Sequence, residues 1–469
     1  MNRAHPGNGG TRMSRHTGRL LVFLLLGMLS ASSTFADDSL TSSGQLRLRG
    51  VDARYDDSVQ EPPSLTGRLV LDAIGSAWRF HSWIEGGWDG TAHDPAQHSS
   101  LLKSFNKVYQ NNSPFLEFKE LALSHTAGNL DLRMGIQRFA WGRLDEYPPN
   151  DLLNPWDYTR FLVKPIEDRK IGVPSLAATL RGSDWSYDAV WIPFLVPYRF
   201  PVPAERWFGR SAASALSRSP TVEFTPREPD LPPRTIANGN IALRARHTGD
   251  IDWAVSLYHG YDPRPVFKTT TFVVTQHAGR TVIDPGYVPD FHKITALGVD
   301  GAGILGDLSI RAEAVYIANR HFNIREELWG YPLFPRSGSY SLNPIGAASG
   351  SLDYGVGADY RLFEEALLTV QLQQTFILDR PETLYARQRE TVVWAHLRVG
   401  LLNQKVETTV GFAYNPEHGD SMAKANVWYL FSDAWKAGLS GVTFTGPSQS
   451  IFGRYAKNDE LGAELVYSW

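Results

Sequence analysis

The chain ends in the stretch Leu461-Gly-Ala-Glu-Leu-Val-Tyr-Ser-Trp469, in which apolar residues occupy every second position and the last residue is aromatic. Successive side chains of a β-strand point to opposite faces, so this pattern predicts a strand with one apolar face. That face continues to the carboxyl terminus, although terminal residues usually fray unless the rest of the fold holds them. The stretch therefore predicts a terminal strand that is paired and supported along its whole length.

This ending resembles the C-terminal signature of bacterial outer-membrane β-barrels. In that class the last strand pairs with the first and carries an aromatic residue at the lipid–water interface. Phe is the usual final residue of the signature, and Trp469 is a less common variant. An edge strand of a soluble β-protein is the alternative that this segment alone leaves open.

The amino terminus predicts export. A basic region with Arg12, Arg15 and Arg19 is followed by a short apolar run over 20–29. A sequence that resembles a signal-peptidase cleavage site, with small residues, then lies at 34–36. This order is typical of a secretory signal peptide, and we expect cleavage after Ala36. An N-terminal membrane anchor is the alternative, although ten apolar residues are few for a membrane span. We predict a signal peptide over 1–36 and one barrel domain over 37–469, located in the outer membrane of a Gram-negative bacterium.

The composition argues against several classes of function. The chain has no cysteine, which removes disulfides, thiolate metal sites, c-type haem attachment and a cysteine nucleophile. Residues 1–36 hold four arginines and no acidic residue, so the remaining chain has 42 basic and 49 acidic residues and a formal net charge of −7. This charge argues against a nucleic-acid partner. Histidines are scattered and form no metal-ligand motif, so we predict no enzyme, no catalytic residue, no metal and no cofactor.

Segments with period-two hydrophobicity recur along the chain and predict β-strands. We place about 18 of them near 44–55, 65–75, 77–88, 115–127, 130–141, 173–181, 185–193, 239–248, 251–261, 293–303, 308–319, 351–363, 366–378, 389–402, 404–415, 421–432, 435–446 and 456–469. Their polar faces carry charges, glycines and amides, which predicts a water-filled interior. The expected fold class is all-β, a transmembrane antiparallel up-and-down barrel of 16–18 strands.

The connections between these segments are asymmetric. Every second one is a turn of one or two residues, such as Ser76 or Gly249-Asp250, and the intervening ones are usually long, such as 89–114, 194–238 and 262–292. Outer-membrane barrels have short periplasmic turns and long extracellular loops in this arrangement. The segments 266–276 and 280–288 form either two more strands or a hairpin outside the membrane.

One long connection is dense in Pro, Asp and Asn, which predicts an ordered loop built from turns. It lies on the long-loop side, where porins fold a loop inward. Opposite charges that face each other across a narrow lumen create an electric field, which selects permeants by charge as well as by size. We therefore predict that the constriction is drawn from Arg143, Asp145, Asp151, Asp157, Arg160, Asp168, Arg169 and Lys170. An outward loop whose charges meet water is the alternative.

The run from Leu130 to Leu180 resembles a block in porin-like outer-membrane proteins of Gram-negative bacteria. In that block a strand leads to Trp-Gly-Arg and then to a loop with Asn-Pro-x-Asp, which stand here as 141–143 and 154–157. The resemblance implies a porin-like family of poorly characterised substrate. We expect the lumen to be lined by residues of both signs, including Arg79, Glu85, Arg133, Arg244, Arg246, Asp359 and Arg361.

These features together predict a channel for passive diffusion of small solutes through a water-filled lumen narrowed by an inward loop. The expected partners are outer-membrane lipid and lipopolysaccharide, small solutes as permeants, the barrel-assembly machinery and, in a homo-oligomer, further copies of the chain. The alternatives are a barrel that transports hydrophobic substrates, a sheath around a partner protein such as a cytochrome and, as a weaker one, an outer-membrane enzyme.

Overall fold

The first and last strands of the chain hydrogen-bond to each other and thereby close the sheet. In this computed structural model the pairing runs antiparallel from Gln45 opposite Ser468 to Ala53 opposite Glu460. Beyond it, the backbones of Gly44 and Trp469 exchange two N–H···O bonds of 3.1 Å. The predicted terminal strand thus forms the seam of the barrel, and the fold class is confirmed as a closed antiparallel barrel of 18 strands.

The structure describes residues 39–53, 63–88, 107–109, 115–201, 206–208, 229–269, 271–277, 280–284, 287–323, 338–341 and 346–469. The predicted signal peptide lies outside them. The barrel strands are β1 (Ser39–Ala53), β2 (Ser64–Ile74), β3 (Trp78–Trp88), β4 (Phe115–Ala127), β5 (Leu130–Gln137), β6 (Val173–Arg181), β7 (Trp185–Ile192), β8 (Asn240–His247), β9 (Ile251–Tyr261), β10 (Lys293–Leu305), β11 (Leu308–Asn323), β12 (Gly346–Phe363), β13 (Ala366–Ile377), β14 (Arg389–Leu401), β15 (Val406–Asn415), β16 (Asp420–Leu430), β17 (Trp435–Thr445) and β18 (Glu460–Ser468).

Each barrel strand pairs with its neighbours in sequence, so the sheet has the predicted up-and-down order. Short turns such as 128–129 and 306–307 lie at the same end as the first residue of β1 and the last residue of β18. The segments left open by the sequence form strands outside the barrel sheet, because Thr271–His277 pairs with Arg280–Asp284. No helix in the described part of the chain is long and apolar enough to cross a membrane.

The outer face of the barrel is apolar. On β9 and β10 the large exposed side chains include Val255, Leu257, Leu297 and Val299, and the residues between them in sequence point inward. Aromatic residues cluster at the short-turn end, where Trp185 lies 5.2 Å from Trp253 and Trp435 lies 4.9 Å from Tyr467. Amphipathic rings are favoured at membrane interfaces, so this belt marks one edge of the lipid-facing surface.

The polar strand faces predict a water-filled interior, but the inner face is not polar along its whole height. Two apolar clusters lie inside the barrel. One joins interior residues of β7–β11 to Trp141, Leu153 and Ile171. The other joins interior residues of β14–β17 to Phe161 and Leu162. The long-loop ends of these strands carry apolar residues on both faces, because a folded loop covers the inner one.

Charge on the lipid-facing side should destabilise the barrel. Val299 is 49% exposed near the middle of β10. We predict that Val299→Arg lowers the free energy of unfolding by about 2–4 kcal/mol, the cost of arginine near the bilayer midplane. Urea titration in lipid vesicles, followed by tryptophan fluorescence, measures this. The matched control Asn426→Arg, on the inner face of β16, should cost less than half as much, and equal losses would contradict the assignment of faces.

Candidate functional site

The predicted inward loop is the connection between β5 and β6, and we call residues 138–172 the inner loop. A single short helix, Ile166–Arg169, interrupts its turns. Asn154 is fully buried at its centre. Its side-chain amide donates to the carbonyls of Gln137 (3.0 Å) and Ile171 (2.8 Å), and its side-chain oxygen accepts from the backbone N–H of Phe139 (2.6 Å). These bonds tie the two ends of the inner loop together.

One side of the inner loop contacts the wall formed by β1–β4. The carboxylate of Asp168 accepts hydrogen bonds from Arg68 (2.5 Å) and Arg47 (3.5 Å). Lys119 donates to the carbonyl of Asp168 at 2.9 Å. Arg138 completes this contact with an ion pair of 2.9 Å to Glu120. Asp168 is therefore surrounded by cations from three neighbouring strands.

The other side contacts β10–β13. Arg143 forms an ion pair with Asp300, and Arg311 donates to both carboxylate oxygens of Asp145 at 3.1 Å. Glu313 is buried and accepts three backbone N–H groups of the inner loop, from Arg143 (3.2 Å), Leu144 (2.9 Å) and Asn150 (3.0 Å). A carboxylate that accepts several backbone donors fixes the loop backbone rather than one side chain.

These two walls face each other. Arg68 lies on β2 and Arg311 on β11, which are nine strands apart in either direction around the closed sheet. The inner loop therefore bridges the interior, with Asp168 bound to one wall and Asp145 to the opposite one.

Glycines on β12 make room for this contact. A Cβ atom on Gly355 would lie 2.5 Å from the side chain of Leu144, and one on Gly357 would lie 3.1 Å from it. Sequence reasoning read these glycines as part of a wetted inner face. In the structure they admit an apolar side chain of the inner loop.

A third contact lies between the two walls. Glu146 pairs with Arg169 of the same loop at 2.5 Å and with Lys424 of β16 at 3.4 Å. Burial opposes ionisation of Glu146, but the attraction of Arg169 and Lys424 outweighs it and lowers the pKa of this carboxyl to about 2. Glu146 is therefore charged at neutral pH and holds two cations in place.

The remaining constriction candidates hold the inner loop to itself and to a neighbouring loop. Lys170 forms an ion pair with Asp151. Asp157 is buried and pairs with Lys164 (3.1 Å) and with Arg199 (3.4 Å), which belongs to the connection after β7. Arg160 is half-buried. The eight candidates therefore divide into residues that contact the walls and residues that are internal to the loops, and their role at a constriction stays a prediction.

The seven lumen-lining candidates lie on the inner face, and six of them are paired. The pairs are Arg79–Asp72 (3.0 Å), Glu85–Arg68 (2.9 Å), Arg133–Glu120 (3.2 Å), Arg244–Asp300 (2.8 Å), Arg246–Asp188 (3.4 Å) and Asp359–Arg311 (2.9 Å). Arg361 is exposed and has no ion pair within the described ranges. Among the described residues no group of three or more His, Asp or Glu is placed to hold a metal ion.

Three residues that receive the inner loop were not predicted to do so. Glu313 is predicted only as an acidic residue of the lumen face, and Trp394 and Gln373 are not predicted as site residues. The indole N–H of Trp394 donates to Gln373 at 2.9 Å. Gln373 in turn donates to the backbone carbonyls of Glu146 and Tyr147. Nothing in the local sequence distinguishes these polar residues from others on the inner faces of strands, because their role depends on where the loop lies.

Solved structures from two bacteria align with this chain over most of its length. OccAB1 of Acinetobacter baumannii aligns over 94% of this chain and 98% of its own length, with a TM-score of 0.50 and 10% identity. A BenF-like porin from Pseudomonas fluorescens Pf-5 aligns over 92% and 98%, with a TM-score of 0.48 and 8% identity. No protein-family model and no curated protein sequence matches the chain.

The closed barrel, its apolar outer face and the likeness in fold define the class: the chain has the fold of a porin-like outer-membrane β-barrel. At 10% identity the likeness concerns the fold, and the channels it resembles do not assign a permeant to this chain.

The Glu146 contact should make stability depend on pH. Because its pKa is lowered to about 2, the charged carboxyl stabilises the fold above the usual glutamate pKa of about 4.3. That contribution is lost as pH falls towards 2. We predict that Glu146→Gln costs about 3–5 kcal/mol at pH 7, because it leaves Arg169 buried without its partner. Urea unfolding at several pH values should show the difference from wild type shrinking between pH 4.5 and 2.

The matched control is Glu407→Gln, which removes an exposed carboxylate on the inner face of β15. It should change the unfolding free energy by less than about 1 kcal/mol at any of these pH values. A Glu146→Gln variant as stable as wild type at pH 7 would contradict the assigned role of this ion pair.

Proposed function

We propose that this protein is an outer-membrane channel through which small solutes diffuse passively, and that the inner loop narrows its water-filled lumen. The observation that carries the proposal is the bridge across the interior, with Asp168 bound to Arg68 and Asp145 bound to Arg311. A loop fixed at both walls divides the cross-section of the barrel into smaller passages. The loop also lines these passages with charges of both signs, and the electric field between them selects permeants by charge as well as by size.

The exit from the constriction is also charged. Interior side chains on the short-turn half of the barrel include Arg246, Asp359, Arg361, Arg398 and Glu407, of both signs. Polar, hydrated side chains on an inner face are what a water-filled passage requires. The fold shared with OccAB1 of Acinetobacter baumannii supports a closed barrel of the kind that this proposal requires.

Single-channel recording tests the proposal. Purified, refolded protein in a planar bilayer should show discrete, steady openings. The double variant Asp145→Ala/Asp168→Ala removes one carboxylate contact at each wall, while Glu313 still holds the loop backbone. It should raise the conductance by roughly half or more, because two charged side chains no longer occupy the narrowed passage. The matched control Glu407→Ala removes an interior carboxylate that makes no contact with the inner loop and should conduct like the wild type.

Two outcomes would count against the proposal in different ways. No conductance from folded, heat-modifiable protein would contradict an open channel and favour a barrel that is plugged or filled by a partner. Steady openings of equal size in the wild type and the double variant would leave a channel but contradict the narrowing by the inner loop.

A further inference from the structure

Aromatic rings of the inner loop continue into the connection that follows β7. The ring of Tyr147 lies 6.0 Å from that of Tyr158, with 18° between their planes. Tyr158 lies 6.1 Å from Phe200, with 24° between planes, and 5.7 Å from Tyr198. We call Tyr147, Tyr158, Tyr198 and Phe200 the aromatic track.

The track leads from inside the barrel towards its long-loop end. At the inner end, Tyr147 lies 6.0 Å from the ring of Trp394, which is buried on the inner face of β14. At the other end, the backbone N–H of Tyr198 donates to Pro263 in the connection after β9, at 3.0 Å. The track thus follows the direction that an entering solute takes.

Tyr147 is presented to the interior in a strained conformation. Its φ angle is +49°, a region that residues other than glycine rarely adopt, and its side chain is 36% exposed. The side-chain amide of Gln373 holds the backbone there by donating to the carbonyl oxygens of Glu146 and Tyr147. Such conformations persist where the surroundings impose them, and they concentrate at ligand sites. Phe161 of the same loop has a similar φ of +46° but is buried, so exposure of the ring, and not the backbone conformation, distinguishes Tyr147.

Accessible polar groups accompany the rings, and each has a partner of opposite charge. Asp145, two residues before Tyr147, has a carboxylate half-exposed beside Arg311. Arg264 is half-buried beside Asp262 and follows Pro263, whose carbonyl accepts the backbone N–H of Tyr198. The charged groups beside the track are of both signs: Asp145 with Arg311, Glu146 with Arg169 and Lys424, and Arg264 with Asp262. The track therefore offers flat apolar faces together with hydrogen-bond donors and acceptors.

We propose that Tyr147, Tyr158 and Phe200 form a stacking surface for a neutral cyclic polyol, a mono- or oligosaccharide, as it passes the inner loop. This inference rests on the proposed channel function and names its substrate class. The C–H face of a sugar ring carries partial positive charge and fits the negative face of an aromatic ring. Its hydroxyls both donate and accept, which matches the paired groups at Asp145 and Arg264.

Block of the ion current by a sugar tests the proposal. Maltotriose added to wild-type channels in a planar bilayer should interrupt the current in a concentration-dependent way. Tyr147→Leu should weaken this block at least about fivefold, since one ring contact contributes a factor of roughly five to ten to the dissociation constant. Tyr147→Phe keeps the ring and should remain within about twofold of wild type on the same scale. Sodium benzoate, the probe for an aromatic carboxylate, should block all three channels weakly and alike.

The matched control is Tyr385→Leu, because Tyr385 is an exposed tyrosine of the connection after β13 that belongs to no part of the track. Its block by maltotriose should equal that of wild type. If Tyr147→Leu does not refold to a heat-modifiable barrel, Phe200→Leu replaces it with the same expected loss. Three results would each overturn the proposal. The first is a wild type that conducts but is not blocked by maltotriose, and the second is equal block by maltotriose in Tyr147→Leu and wild type. The third is block by benzoate but not by maltotriose, if that block depends on Tyr147.

Failure of the channel function and failure of this inference give different results. Conduction without block by maltotriose overturns the stacking surface only. A folded protein that does not conduct contradicts the channel, and titration calorimetry with maltotriose then decides the inference separately. Heat of binding that Tyr147→Leu abolishes supports the stacking surface, and no heat from the wild type overturns it.

Discussion

The whole architecture depends on the requirement that every backbone N–H and C=O group in the hydrocarbon layer has a partner within the protein. A sheet meets this requirement only when its first and last strands pair, because an open edge in lipid costs several kcal/mol for each unpaired group. Here β1 and β18 meet in register, and the last backbone bonds join Gly44 to Trp469. Closure fixes the strand order, so it also decides which residues face lipid and which face the interior.

Closure also explains how a loop can be held across the barrel. Once the sheet is closed, β2 and β11 lie opposite each other, and a chain segment between them can bind both. Buried ion pairs contribute little net stability, because the cost of desolvation offsets much of the attraction. Their geometric requirement is strict, however, so pairs such as Asp168–Arg68 determine position more than they increase stability. The two apolar clusters on the inner wall supply burial for the same loop, at roughly 25 cal/mol per Å² of apolar surface.

The sequence alone was sufficient to predict the barrel fold, but it was insufficient to predict how the interior of the barrel is arranged. Alternation in β13 or β15 is a local property that predicts a strand with one apolar face. Turns such as 249–250 alternate with long connections in a way that a soluble sheet does not require, and this asymmetry indicates that the apolar face meets lipid. The charges at Asp145 and Asp168 were also recognisable, since a turn-rich loop on the long-loop side is where a porin folds inward. Their partners were not, because Arg68 and Arg311 are distant in sequence and no different from other arginines on inner faces. The glycines of β12 were misread for the same reason, since the contact with Leu144 that requires them is long-range.

The central claim is that the inner loop connects opposite walls of the barrel, and paired cysteines test it directly because the natural chain contains none. Asp168→Cys with Arg68→Cys, and Asp145→Cys with Arg311→Cys, should each be joined by a short thiol-specific crosslinker in the folded protein in intact outer membranes. An arginine–carboxylate pair sets the two backbones too far apart for a direct disulfide. The mixed pair Asp145→Cys with Arg68→Cys should not be joined by the crosslinker. Crosslinking of both matched pairs without the mixed pair is the predicted result. Failure of either matched pair in folded barrels, or equal crosslinking of the mixed pair, would contradict the bridge and the constriction that it supports.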